Sequence, residues 1–277
     1  MTLAGSGRPL AASDSHTALA AVAGFFEQTL AVARAEARKL LRDPTELASR
    51  AVQPVLWLIV FGQVFTRTHA IPTGPLSYLE FMAPGVLAQG VLFTAIFFGI
   101  AVIWERDLGV IHKLIVSPAP RVALVLGKAI AGGLRALAQA FLVYVVAAAI
   151  GIHLRLDPVS VFGVALTIVL GAALFATFSL DIACLVRSRE RFMGIGQLLT
   201  MPLFFASSAV YPVALMPDWL KVVAAVNPLT YMVDALRVLM VQGATSAHGF
   251  GVDIGVLVVG VAILVGIGSK LYPRLAQ

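Results

Sequence analysis

The run from Val159 to Val186 carries a single charged residue, Asp181, and it is one of several such runs along the chain. A bilayer core about 30 Å thick is crossed by about 20 apolar residues in a helix. Six stretches have this character: Ala51 to Phe65, Tyr78 to Trp104, Leu134 to Ile152, Val159 to Val186, Phe192 to Val210, and Val252 to Ser269. The first is the poorest in apolar residues, because Gln53 and Pro54 lie near its start. The composition agrees: 60% of the 277 residues are hydrophobic and only 12% are charged. A soluble domain is about a quarter charged, so much of this chain cannot face water. Backbone groups in lipid must be satisfied within the segment, which makes these runs helices. A β-barrel would need alternating segments of roughly ten residues, and continuous runs such as Val143 to Ile150 exclude it. The expected fold is an all-α integral membrane protein with six transmembrane helices.

The net charge of +6 would suit a nucleic-acid partner if the basic residues formed one patch, but they do not. With the N-terminus placed in the cytoplasm, the inner segments hold 14 of the 20 Lys and Arg residues. These are Arg8, Arg34, Arg38, Lys39, Arg42, Arg50, Arg106, Lys113, Arg121, Arg187, Arg189, Arg191, Lys270 and Arg274. The outer segments hold Arg67, Arg155, Lys221 and Arg237, and Lys128 and Arg135 fall on the third run. This asymmetry is the positive-inside pattern, with both termini cytoplasmic. It excludes a nucleic-acid function.

Residues 1–24 read as a disordered cytoplasmic tail, rich in Ala, Ser and Gly at Met1 to Thr17. A cleaved signal is not expected, since only Arg8 precedes the apolar Ala18 to Phe26 and an amphipathic segment follows. Over residues 25–43, Phe26, Leu30, Ala33, Ala37 and Leu40 form a stripe, while Arg34, Arg38 and Arg42 line another face. A basic amphipathic helix of this kind lies in the cytoplasmic headgroup layer. A soluble helix packing on a partner is the alternative. Asp43-Pro44 ends it, and residues 44–277 form the six-span domain.

The link between the second and third spans, residues 105–121, is the most informative stretch. It opens with Glu105, Arg106 and Asp107 and continues with the apolar Leu108, Ile111, Leu114 and Ile115. Ser117-Pro118-Ala119-Pro120 closes it. Such a short cytoplasmic helix would expose an apolar patch unless another protein gripped it.

This loop resembles the first cytoplasmic loop of the ABC-2 type exporter permeases, the family of the daunorubicin-resistance and polysaccharide-export membrane subunits. Tyr78-Leu79-Glu80-Phe81-Met82-Ala83-Pro84-Gly85 is similar to the start of that family's second span. Leu126-Gly127-Lys128-Ala129 resembles its approach to the third. Leu215-Met216-Pro217-Asp218-Trp219-Leu220 and Asn227-Pro228-Leu229-Thr230-Tyr231 resemble its signature before the last span. The likeness runs from about Phe26 to Lys270, and the drug-export branch is the most similar.

The resemblance implies a permease subunit of an ATP-binding-cassette exporter. Residues 25–43 become an elbow helix, a second permease subunit completes a homo- or heterodimer, and a cytoplasmic ATPase subunit supplies hydrolysis. Glu105, Arg106, Gly109, Lys113, Ser117 and Pro118 would couple to that ATPase. ATP and Mg would sit on the partner, and no cofactor or metal on this chain. The short loop from Arg187 to Arg191 is a second candidate contact. Residues 211–237 would re-enter the outer leaflet as short helices and form an outer gate, with Tyr211, Pro217, Trp219, Asn227, Pro228 and Tyr231. The sequence itself supports an interruption there, because Pro212, Pro217, Asp218 and Lys221 break the apolar run. Polar residues within spans generally face the protein interior. That makes Gln53, Gln89 and Ser208 candidates for a substrate pathway, accompanied by Phe61, Phe93, Phe97 and Phe204. Few charges accompany them, which favours a lipophilic or amphiphilic cargo in a bacterial cell membrane. Export of a polysaccharide or lipid-linked glycan, or a non-transporting role in a heterodimer, are the alternatives.

Motifs of catalysis are missing. Gly127-Lys128-Ala129 lacks the upstream glycine and the hydroxyl residue of a phosphate loop, and no HExxH or GxSxG occurs. The five histidines are scattered in sequence, and the single cysteine, Cys184, reads as an apolar packing residue. Lys128 or Arg135 is expected to pair with Asp181.

Overall fold

The computed structural model describes residues 52–68, 71–109, 121–186 and 188–272. The expected tail, the amphipathic helix over 25–43, most of the loop over 105–121 with Lys113, Ser117 and Pro118, and Arg187 lie outside the described residues.

The described chain is helical. Helix α1 spans residues 52–68 and contains a π-helical segment, Trp57–Gly62. Then follow α2 (Tyr78–Asp107), α3 (Arg121–Ala149), α4 (Pro158–Leu185), α5 (Arg189–Phe205), α6 (Asp218–Val226), α7 (Pro228–Met240) and α8 (Phe250–Leu271). Among the described residues the only β pairing is an isolated bridge between Leu154 and Val241.

Side chains at the helix starts explain where the spans begin. Ser77 and Glu80 form a reciprocal capping box at the start of α2. Asp157 accepts from the Ser160 N–H at the start of α4, with Pro158 as the first helical residue. That hydrogen bond holds the exposed Asp157 carboxyl below its ordinary range. Ser188 does the same for α5 by accepting from the Arg191 N–H.

Helices α2 and α4 form the centre, and α3, α7 and α8 pack around α4. Small residues permit this. A Cβ added at Gly85 of α2 would lie 2.3 Å from the Ala209 carbonyl oxygen. One added at Gly99 would lie 2.3 Å from the Phe192 ring. Helices in lipid associate through such close approach, because lipid tails are as apolar as leucine. Ser179 on α4 adds a hydrogen bond by donating to the Ile96 carbonyl of α2, and its hydroxyl accepts the Gly99 N–H. By contrast α8 is only 17% buried over its most apolar window, so it offers its sides to lipid or to another chain.

Among the described residues four helices are long and apolar enough to cross a membrane: α2, α4, α8 and residues Gly132–Ala149 of α3. The pair α6–α7 passes the same test if taken as one span, but it is bent by 80° at Asn227. The described residues thus hold four to five span candidates, where six runs were expected. The difference lies in two helices. Residues 52–68 are a short element at the edge of the described chain. Helix α5 has 17 residues and stops at Phe205, three residues past Pro202, so the fifth run is helical only in part. Residues 206–209 form a turn instead.

Candidate functional site

Helix α2 is the backbone of the site. Gln89, Phe93, Phe97, Ile100 and Trp104 recur at helical spacing on one of its faces and line a cleft of about 1030 Å³. Gln53 and Pro54 of α1 close one side, and Arg135 and Gln139 of α3 close the other. Glu105 lies at the end of the row, so the cleft reaches the helix terminus that leads into the loop over 105–121. Phe93 and Phe97 stack with ring centroids 6.2 Å apart, which gives the wall a continuous aromatic surface.

The polar groups of the cleft differ in how they are held. Thr94 donates to the Gln139 side-chain oxygen and joins α2 to α3. Gln89 is 2% exposed, and neither its amide nitrogen nor its oxygen has a hydrogen-bond partner among the described residues. Most buried side-chain polar atoms do have one, which sets Gln89 apart from Thr94.

At the Glu105 end, Asp107 accepts two hydrogen bonds from Arg189 of α5, at 2.9 and 2.6 Å. The Arg189 guanidinium also lies 4.3 Å from the Trp104 ring centroid. Arg106 donates to the Val186 carbonyl at 3.3 Å. Gly109 then ends α2 with φ +71°, a left-handed cap that donates to the Arg106 carbonyl. The start of the loop is therefore tied to the connection between α4 and α5.

Four of the seven expected pathway residues, Gln53, Gln89, Phe93 and Phe97, meet in the cleft. The other three lie elsewhere. Phe61 stacks on Trp57 with centroids 4.5 Å apart and is exposed. Phe204 is buried with its edge toward Trp57, and Ser208 is buried beneath Arg237. Thr94, Arg135, Gln139 and Trp104 were not anticipated as lining residues. Arg135 and Gln139 carry a readable signal, two polar residues four apart in an apolar run. Of the two expected partners of Asp181, Arg135 does not pair with it, and the Lys128 side chain lies outside the described residues. Asp181 sits on the face of α4 toward Gly268 of α8, and its oxygens accept no hydrogen bond among the described residues. Arg135 lines the cleft instead.

The expected gate residues gather at the α5–α7 junction. Asn227 donates to the Leu203 and Ala206 carbonyls at 2.7 and 3.0 Å, and its oxygen accepts from the Leu229 N–H. One side chain thus ends α5, turns the chain by 80° and caps α7, with Pro228 as the first residue of that helix. Tyr211 donates to the Phe205 carbonyl and Tyr231 to the Ala225 carbonyl. Pro217 precedes α6, and Trp219 is 69% exposed. Two residues not anticipated there hold the junction to the bundle. Arg237 donates to the Ser208 carbonyl at 2.6 Å and to the Phe81 carbonyl at 3.4 Å, with its guanidinium over the Phe81 ring. Asp234 accepts from the Ala247 and His248 N–H groups.

Comparison with known proteins gives this arrangement a family. The ABC-2 type transporter family model matches residues 27–241. The daunorubicin resistance ABC transporter permease protein DrrB1 of Streptomyces coeruleorubidus is 26% identical, covering 84% of this chain and 80% of that protein. The transport permease ycf38 of Cyanophora paradoxa is 29% identical, covering 78% of this chain and 74% of its own length. A doxorubicin resistance ABC transporter permease protein, DrrC, of Mycobacterium tuberculosis is 23% identical over 77% of this chain and 76% of that one. The apolar helices, the bent pair before the last span and the match over most of the chain agree: the chain belongs to the ABC-2 type transporter family, as a membrane permease.

Proposed function

We propose that this chain is the permease subunit of an ATP-binding-cassette exporter that moves a lipophilic or amphiphilic compound, such as a drug, antibiotic or lipid, out of the cytoplasm or inner leaflet. A separate ATPase subunit, carrying ATP and Mg, drives it, and a second permease subunit completes the pathway. The chain resides in a bacterial cell membrane with both termini inside, through six spans once residues 52–68 and α5 are counted. The observation that carries this reading is the cleft itself. Its aromatic wall suits an apolar body, its unpartnered Gln89 amide suits a carbonyl or hydroxyl group, and its far end is Glu105, where the cytoplasmic loop begins.

The mechanism follows from α2. It is one unbroken helix of 30 residues, roughly 45 Å long at 1.5 Å per residue. A push on the loop over 105–121 is transmitted along such a rod to the cleft wall. Arg106 and the Asp107–Arg189 pair carry the same displacement to the α4–α5 connection, so the two parts of the bundle move together. ATP-driven closure of the partner ATPases thereby shifts an inward or lateral opening to an outward one, with the bent α6–α7 pair as the outer gate.

The test is co-expression with the neighbouring genes and purification in mild detergent. The expected result is co-elution of an ATPase subunit at one per permease, with hydrolysis stimulated by lipophilic drugs. Gly109→Pro forces φ to about −65° where the chain needs a positive value, so it should abolish stimulation while the permease stays in the membrane. A permease that elutes alone, or stimulation unchanged by Gly109→Pro, would refute the proposal.

A further inference from the structure

The five histidines are scattered in sequence, but the fold brings one of them into a cluster. Asp234 projects from α7, Asp253 from the first turns of α8, and His248 from the connection between these helices. A carboxylate oxygen of each Asp and a ring nitrogen of His248 lie within 4.8 Å of one another. His248 Nδ1 is 3.4 Å from Asp234 Oδ2 and 3.9 Å from Asp253 Oδ1. A tetrahedral ion with bonds of about 2.0–2.2 Å to nitrogen and oxygen holds its ligands roughly 3.4 Å apart. The His248–Asp234 separation matches that, and the other two need only a small contraction.

We propose that Asp234, His248 and Asp253 bind a divalent cation of the zinc type. The observation independent of the grouping is Asp253. Its side chain is fully buried, and its Oδ1, the atom that faces His248, accepts no hydrogen bond among the described residues. A buried carboxylate oxygen left without a donor is unfavourable by itself, and a metal ion supplies what the protein does not. Asp234 is held in place, since Ser246 Oγ and the Ala247 and His248 N–H groups all donate to its Oδ2. Charge points the same way. At this cluster two buried carboxylates share the charge of one buried cation among the described residues, Arg237, whose donors go to the Ser208 and Phe81 carbonyls. Access exists as well, because a cavity of about 360 Å³ reaches Asp234 and His248 from the side of Ser208 and Pro212. The nitrogen ligand and the small ligand number select zinc over magnesium, which takes oxygen and keeps its waters.

Such an ion would clamp α7 to α8. The His248 ring also lies 4.9 Å from the Tyr231 ring, so the clamp extends to the bent α6–α7 pair. The site stands whether or not the chain exports anything.

The experiment uses the full-length permease in detergent, stripped with EDTA, then equilibrated with zinc chloride and desalted. The expected result is one zinc per chain by mass spectrometry, with a higher melting temperature that magnesium chloride does not reproduce. His248→Ala, on an exposed loop, should lower zinc affinity about 10–100-fold or more and remove the thermal shift. Asp253→Asn should do the same if it folds, and His248→Ala decides alone if it does not. His153→Ala, whose ring pairs with Glu80 away from the cluster, should retain zinc. Failure to retain zinc, or equal retention by His248→Ala, overturns the proposal. Loss of zinc in His153→Ala would do so too.

Discussion

The cleft along α2 and the junction between α5 and α7 both place polar side chains in an apolar chain, and Asn227 and Arg237 at the junction are held differently from Gln89 in the cleft. At the junction, Asn227 and Arg237 spend their donors on backbone carbonyls that a helix end and a turn leave open. In the cleft, the Gln89 amide is equally buried and has no partner among the described residues. Arg237 also illustrates why a charged residue at such depth persists. Its two carbonyl acceptors come from α2 and from the turn after α5, so it fastens the bent pair to the central helix. The difference teaches how to read an intramembrane polar residue. Where its hydrogen bonds are complete it is architecture, and where they are open it is a candidate for contact with cargo.

Substitution separates the two classes. Arg237→Met leaves two carbonyls and the buried Asp234 uncompensated, so it should be the largest effect, about 3–5 kcal/mol of stability. It should appear as aggregation or a steep fall in melting temperature of the detergent-purified protein. A melting temperature unchanged by Arg237→Met would break the comparison at its stronger side. Gln89→Leu should be the smallest. Removing an unpaired buried amide is neutral or mildly stabilising, so the melting temperature should hold or rise slightly while drug-stimulated hydrolysis falls. A large loss of stability in Gln89→Leu would mean that the amide is structural after all.

The legible part of this molecule was the part governed by one-dimensional pattern. Apolar runs and the interruption from Pro212 to Pro228 act within a few residues, so the sequence displays them. Gln89 was legible as a polar residue within a span, and its spacing of four from Phe93 and Phe97 puts all three on one face of α2. Other features depend on which faces of different helices meet. Thr94 finds Gln139 from 45 residues away, Arg237 reaches Phe81 across 156, and Asp234 meets His248 through a loop. The same limit explains the Arg135 pairing. Sequence gives the depth of Arg135 and Asp181 in their helices but not the azimuth, and α4 turns Asp181 toward α8. Phe204 shows the converse: its fifth-run neighbours look like a pathway wall, yet its ring is buried against α1.

The central claim is that cargo occupies the α2 cleft, and thiol protection tests it directly. Cys184 is the only cysteine, so Cys184→Ala provides a clean background. Phe93→Cys in the cleft and Phe61→Cys on the exposed face of α1 are then labelled with a maleimide, with and without a lipophilic drug. The account predicts that both react and that the drug protects Phe93→Cys alone. Protection at Phe61→Cys with none at Phe93→Cys would contradict it.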